Sequence, residues 1–234
     1  SLKLYPHQKH VIEQFRRLGR FAAHHEQGCG KTLTAIRCIE VLGDRLGKIP
    51  LTLIITPKIV CESFRREIGK FATPSYSLMT RVLSGSAKDR VHALRKSGAR
   101  IFITNHEAAT MPDFWSVVLE QTWDMFVLDE GHRCKDPKAS RTKAIIHFSD
   151  RVKHKIILTG TPVTQDMRDL WAQFRILGAD IIQPNYHVWV RQHFYDANSN
   201  KKHMNFPKYQ PLPGAEDRIR QTLLLPFSHR VTKA

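Results

Sequence analysis

The chain has 234 residues, 41% hydrophobic and 25% charged, ordinary proportions for one globular unit with a substantial core. Lys and Arg total 37 against 21 Asp and Glu, and the formal net charge of +16 suits polyanions, nucleic acid foremost, as well as plain solubility. No apolar stretch is long enough for a bilayer and Ser1-Leu2-Lys3-Leu4-Tyr5-Pro6 lacks a signal-peptide core, while Cys29, Cys38, Cys61 and Cys134, without C-x-x-C or zinc spacing, read as reduced intracellular thiols.

Apolar spacing predicts a helix over 4–19, with Val11, Ile12, Phe15 and Leu18 on one face. The run Phe21-Ala22-Ala23 enters a Gly-containing loop, and Leu33 to Leu42 continues as a helix. Leu51–Thr56 reads as a buried strand stopped by Pro57, and 59–71 as a basic amphipathic helix. Ser77–Leu83 and Arg100–Thr104 read as further strands. Trp123–Leu128 is the strand before Asp129, Lys155–Leu158 the strand before Thr159, and Met167–Leu177 a helix. After about residue 180 the pattern weakens. Asn198–Gly214, rich in Asn, Lys and Pro, reads as a loop or surface protrusion, and 216–227 as a last helical stretch. Short strands alternating with helices imply an α/β fold, a parallel sheet covered on both faces. Ligands of such sheets sit at the carboxyl ends of the strands.

Three segments in those positions carry chemistry. In Glu26-Gln27-Gly28-Cys29-Gly30-Lys31-Thr32 the glycines let the backbone curl, so that amides from Gly28 to Thr32 can face an anion at a helix start. Lys31 suits the β- and γ-phosphates, and the Thr32 hydroxyl suits Mg²⁺. The usual phosphate loop begins with Gly six residues before the Lys, where this chain has His25. His24-His25 is the one histidine cluster near this chemistry, and two adjacent histidines make a poor metal grip. About a hundred residues on, the strand Met125-Phe126-Val127-Leu128 delivers Asp129-Glu130. Asp129 suits inner- or outer-sphere binding of Mg²⁺, and Glu130 suits orienting and deprotonating an attacking water. The two segments read as halves of one nucleoside triphosphate site. The third, Leu158-Thr159-Gly160-Thr161-Pro162, ends another apolar strand.

In these residues the chain resembles the first RecA-like lobe of a superfamily 2 helicase-type motor, most closely the Swi2/Snf2 family of double-stranded DNA translocases. The family's phosphate loop reads Asp-Glu-Met-Gly-Leu-Gly-Lys-Thr, so His25 replaces an acid. Its Asp-Glu-Ala-His is here Asp129-Glu130-Gly131-His132, followed by Arg133-Cys134-Lys135, and Leu158–Pro162 matches the third motif unchanged. Ile55-Thr56-Pro57-Lys58 with the helix from Phe64 to Phe71 resembles motif Ia, and Ile103-Thr104-Asn105-His106-Glu107 resembles motif Ib. Leu4-Tyr5-Pro6-His7-Gln8 resembles the adenine-reading N-terminal motif, and Leu225–Lys233 the basic end of the lobe, where the family usually has two arginines.

The resemblance implies a single P-loop NTPase lobe with ATP and Mg²⁺ as its ligands, over residues 1–180, followed by a C-terminal extension over 181–234. It implies Gln8 at the base, Gly28, Cys29, Gly30, Lys31 and Thr32 at the phosphates, Thr32 and Asp129 at the metal, and Glu130 with Asp129 and Lys31 in catalysis. His132, Thr159, Gly160 and Thr161 would relay the nucleotide state, or serve as a satisfied histidine beside a strand-ending turn. Lys58, Arg65, Asn105 and His106 would face a nucleic acid, duplex DNA by the resemblance. No second lobe is found in the sequence, so the arginine fingers that complete such sites would come from elsewhere. Two other readings remain beside a duplex translocase: a lobe of a strand-separating helicase or restriction-system motor, and an ATP-binding switch with hardly any turnover.

Overall fold

The computed structural model describes residues 3–199 and 206–232. Helix α1 (Pro6–Leu18) leads into strand β1 (Arg20–His25) and helix α2 (Lys31–Leu46). There follow β2 (Thr52–Thr56), α3 (Cys61–Phe71), α4 (Pro74–Leu78), β3 (Thr80–Val82), α5 (Ala87–Lys96), β4 (Ile101–Asn105) and α6 (Pro112–Glu120). Next come β5 (Met125–Asp129), α7 (Ser140–Ser149), β6 (His154–Leu158), α8 (Leu170–Leu177), α9 (Tyr186–His193), β7 (Phe194–Asp196) and β8 (Tyr209–Pro211). The last elements are α10 (Ala215–Ile219), α11 (Leu225–Phe227) and β9 (Ser228–Val231).

Seven strands form one sheet in the order β3-β4-β2-β5-β6-β1-β9, with every neighbouring pair parallel. Because successive residues of a strand point to opposite faces, each strand feeds two cores. Leu53, Phe102, Phe126, Leu128 and Ile157 pack under α6, α7 and α8 with Phe114, Phe148 and Phe174. Ile54, Ile103, Val127, Ile156 and Leu158 pack under α1, α2 and α3 with Phe15, Ile39 and Phe64. Strands β2, β4, β5 and β6 are buried along their whole length, which explains their largely apolar reading. Among the described residues no helix is long and apolar enough to cross a membrane, and the four cysteines are unpaired.

The α/β sheet expected from the alternation is present, and several local readings need correction. Ser77 and Leu78 are helical, because Pro74 opens a short helix at its first turn; only Thr80–Val82 is strand. The helix expected over 59–71 starts as a 3₁₀ turn, Lys58–Val60, before α3. The final helical stretch widens into a π turn, Arg220–Leu224, where Pro226 lacks the N–H that the Thr222 carbonyl would otherwise accept. Helices α5, α6, α7 and α9 had no sequence assignment. Part of the expected loop is strand β8, paired antiparallel with β7, and residues 200–205 lie outside the described residues. The stretch 181–234 also supplies β9, which joins the main sheet beside β1 with Ala22 opposite Ser228 and His25 opposite Val231.

Candidate nucleotide site

The loops after β1, β2, β5 and β6 meet at the carboxyl end of the sheet, because those strands are neighbours and all run one way. Glu26–Gly30 curls from β1 into α2. Gly30 has φ +71°, a left-handed conformation that glycine adopts without strain, and a Cβ there would collide with the Gln8 amide. Gln8 is 1% exposed and bridges two segments: its amide donates to the Gly30 carbonyl at 3.1 Å, and its Oε1 accepts from the Tyr5 N–H at 2.8 Å. The residue expected at a base therefore also holds the loop. His7 Nε2 lies 2.9 Å from the Cys29 carbonyl, and Lys31 Nζ donates to the His25 carbonyl at 2.9 Å. Thr32, in the first turn of α2, lies beside Glu67 of α3, whose carboxyl burial pushes up and Thr32 pulls back.

Asp129 ends β5 and is 7% exposed. Thr56, at the end of β2, donates to its Oδ2 at 2.7 Å, and the Glu130 N–H donates to its Oδ1 at 3.0 Å. Burial pushes the Asp129 carboxyl above its ordinary range and the Glu130 charge adds to this, while the Thr56 hydrogen bond and the Lys31 ammonium pull it back. Glu130 is the single non-glycine residue with positive φ (+51°) among the described residues. Holding a glutamate there costs about 1–3 kcal/mol, and such strain persists where surrounding contacts over-determine it. His132 Nδ1 lies 3.2 Å from Glu130 Oε2 and 2.9 Å from Thr159 Oγ1. Facing a carboxylate, Nδ1 carries a proton. That hydrogen bond, with Lys31, holds the Glu130 carboxyl below its ordinary range. Thr161 N–H donates to Thr159 Oγ1 at 3.2 Å, and the Thr161 hydroxyl lies 3.4 Å from His132. Gly160 sits within 3.5 Å of the Glu26 backbone, measured from where its Cβ would be. An open crevice of about 690 Å³ runs between Glu26, Gln27, Pro57, Glu130, His132 and Gly160.

The expected nucleic-acid residues divide. Lys58 and Arg65 are exposed beyond the end of β2, Arg65 pairing with Glu62 at 2.9 Å. Asn105 is 6% exposed, and its amide donates to Glu107 at 2.7 Å. The placing of His106 at a nucleic acid is corrected. Its side chain is fully buried where the turn after β4 packs on α7, and burial, with Arg133 and Arg141 nearby, pulls it down to about 4. Sequence reasoning missed Thr56 as the anchor of Asp129; its signal was a hydroxyl ending a buried strand just before Pro57. It also missed Glu107, which faces Arg133 at 3.8 Å and Arg141 at 3.7 Å.

Fold and site together define a RecA-like P-loop lobe. Residues 18–212 match the SNF2-related domain, and the chain belongs to that family. It is similar to the probable ATP-dependent DNA helicase CHR12 of Arabidopsis thaliana, 28% identical over 74% of this chain and 16% of that protein. It is 26% identical to nuclear protein STH1/NPS1 of Saccharomyces cerevisiae, over 76% of this chain and 13% of that protein. It is 32% identical to the chromatin-remodeling ATPase INO80 of Aspergillus clavatus, over 63% of this chain and 9% of that protein. The fold matches the Sulfolobus solfataricus SWI2/SNF2 ATPase core solved with double-stranded DNA, at TM-score 0.77 and 24% identity, over 99% of this chain and 45% of that one. The chain thus spans less than a fifth of these curated relatives.

Proposed function

We propose that this chain is the ATP-binding lobe of a DNA-dependent ATPase that moves along duplex DNA, with a second RecA-like lobe completing the site across the crevice. One observation carries the reading. Lys31, Asp129, Glu130 and the His132–Thr159 pair, from loops far apart in sequence, converge at one end of a parallel sheet, with Thr56 fastened to Asp129. The family and the relatives' names, helicase and chromatin-remodeling ATPase, support it. They also support an intracellular, nucleic-acid-associated setting.

The chemistry follows from the residues. Lys31 rests on backbone carbonyls of its own loop and can turn its ammonium to phosphate oxygens. The Thr32 hydroxyl and the buried Asp129 carboxylate offer hard oxygens that suit Mg²⁺, and the burial penalty on Asp129 is one that a cation relieves. No cluster of three or more ligating side chains exists among the described residues, which suits an ion shared with phosphates rather than caged by protein. When bound, Mg²⁺ supplies positive charge against the phosphate oxygens. Glu130 stays ionised at neutral pH and accepts a hydrogen bond from an attacking water, oriented by His132. Exposed Lys58 and Arg65 contribute phosphate contacts on the nucleic-acid side, with Asn105 beside them, so binding weakens steeply with salt.

The test is steady-state ATP hydrolysis with and without duplex DNA, beside a Lys31→Ala control. Turnover stimulated by DNA and lost in the control supports a working motor site. ATP binding that needs Lys31 but yields no turnover supports a lobe completed from elsewhere. Absence of ATP binding overturns the reading.

A further inference from the structure

Four imidazoles converge behind the phosphate loop, outside the set that faces the crevice. His7 and His10 come from α1, His25 ends β1, and His229 lies in β9. Ring centroids are 5.0 Å apart for His7–His25, 5.4 Å for His25–His229 and 4.6 Å for His10–His229. His25 Nε2 lies 3.2 Å from His229 Nδ1. His25 is also where the loop is gripped: its carbonyl accepts from Lys31 Nζ, and the next residue's N–H donates to the Val231 carbonyl of β9 at 3.1 Å.

The tautomers follow from which atoms have partners. His25 Nδ1 is buried with no hydrogen-bond partner, and a bare nitrogen is tolerated there better than an N–H. The His25 proton therefore sits on Nε2 and is donated to His229 Nδ1, so His229 carries its own proton on Nε2. Protonating His229 fills its Nδ1 and leaves two N–H groups facing each other at the same contact. The bond is lost and a charge is added among other basic groups. Those facing the pair are His7 and His10 from α1, His24 from β1 and Lys31 from α2, with the Glu26 backbone alongside, while Arg230 of β9 is exposed and acts on His24 rather than on the pair.

We propose that His229 is a positioning residue for the phosphate loop, acting through His25, so that nucleotide affinity requires a neutral His229 and a paired β9. This rests on the reading of Glu26–Thr32 as the nucleotide-holding loop. Burial, with His10 and His7 adding to it, holds the His229 imidazole below its ordinary value near 6.5, so the pair stays intact at neutral pH and opens only on acidification.

The sign of the pH profile discriminates. Phosphate anions near a titrating histidine would by themselves tighten binding as pH falls; positioning by a neutral His229 predicts that binding weakens. The experiment is ATP affinity, with Mg²⁺ present, from pH 8 to pH 5.5, for the wild type and for Lys31→Ala, His229→Leu and His229→Asn. The Asn amide oxygen lies near the position of Nδ1 and accepts without titrating. The expected result is wild-type affinity that declines on acidification relative to His229→Asn. His229→Asn should match the wild type at pH 8, and His229→Leu should bind about fivefold more weakly there, the worth of one ordinary hydrogen bond. Ring-nitrogen NMR should show His25 protonated on Nε2 and bare on Nδ1, a readout independent of binding and of the variants' folding. Parallel profiles in wild type and His229→Asn, or a His25 proton on Nδ1, overturn the inference while ATP binding that needs Lys31 leaves the nucleotide reading standing. No ATP binding by the wild type at any pH overturns both.

Discussion

The phosphate loop and the Asp129–His132 turn lie side by side and are fixed by different chemistry. The turn is built around carboxylates: Thr56 donates to Asp129, and His132, the turn's single imidazole, is clamped between Glu130 and Thr159. The loop is held by carbonyls and imidazoles: Lys31 on His25, Gln8 on Gly30, His7 at Cys29, and His25 on His229. Ordinary carboxylates keep their charge from about pH 5 upward, whereas histidines exchange protons between about pH 5 and 8. Glu130, held below its ordinary range by His132 and Lys31, thus keeps its charge in moderate acid, whereas protonation of His229 opens the contact with His25 that braces the loop.

Substitutions and acid can break this contrast. The largest effect expected is from Glu130→Gln, which should lower turnover of the assembled motor by about a hundredfold or more while ATP affinity is kept, measured by single-turnover hydrolysis and equilibrium binding. A proportional loss of binding would count against the division of labour. Acid comes next. Burial pulls His24 and His25 down to about 3, with Arg230 adding to the first and the neighbouring histidines and Lys31 to the second. Their folded values lie below the unfolded value of 6.5, so the unfolded chain binds more protons, and the stability they contribute is present above 6.5 and lost as pH falls toward 3. Each should cost about 1 kcal/mol per pH unit in that window. Thermal melts at pH 7, 6 and 5 should show Tm dropping, and His25→Leu should flatten the slope; an unchanged Tm would contradict neutral buried imidazoles.

Gly131→Ala probes the turn's packing. A Cβ there would lie 2.5 Å from Ile157 Cγ2, so the substitution should cost about 1–3 kcal/mol, and Ile157→Ala should relieve part of it in a double-mutant cycle. Additive effects would place the clash elsewhere. The smallest effect expected is from Arg65→Ala. Its ion pair with Glu62 is exposed, so stability should change by under about 1 kcal/mol, while the salt slope of duplex DNA binding should fall by about one contact.

Much of this was legible in the sequence because each chemical motif follows a strand that is buried up to its end. Met125–Leu128 and Lys155–Leu158 had to be interior strands, and a parallel sheet then brings Asp129 and Thr159 to one end. The helices that went unassigned have mixed surfaces: α7 buries Thr142 and Ser149 as well as Ile145 and Phe148, which blurs its apolar stripe. His106 was expected at a nucleic acid from the resemblance of Ile103–Glu107 alone, and tertiary packing on α7 covers its side chain. The departure from Asp-Glu-Ala-His to Asp129-Glu130-Gly131-His132 had no local explanation. The neighbouring strand supplies one, since the branched Ile157 occupies the space an alanine methyl would need. The role of β9 was equally hidden, because four residues with a mixed burial pattern become a strand only when β1 is there to pair with them.

The two rims of the sheet have a bearing on how copies of this protein behave in solution. A parallel sheet open at both sides offers unpaired backbone groups on which another chain could template. Here the rim strands are the short ones, three residues in β3 and four in β9, and each turns an arginine, Arg81 or Arg230, toward solvent. Brevity limits how many intermolecular ladder bonds a second copy could form, and like charge at both rims makes edge-to-edge stacking repulsive. The same net charge of +16 that suits a polyanion therefore also guards the sheet against aggregation.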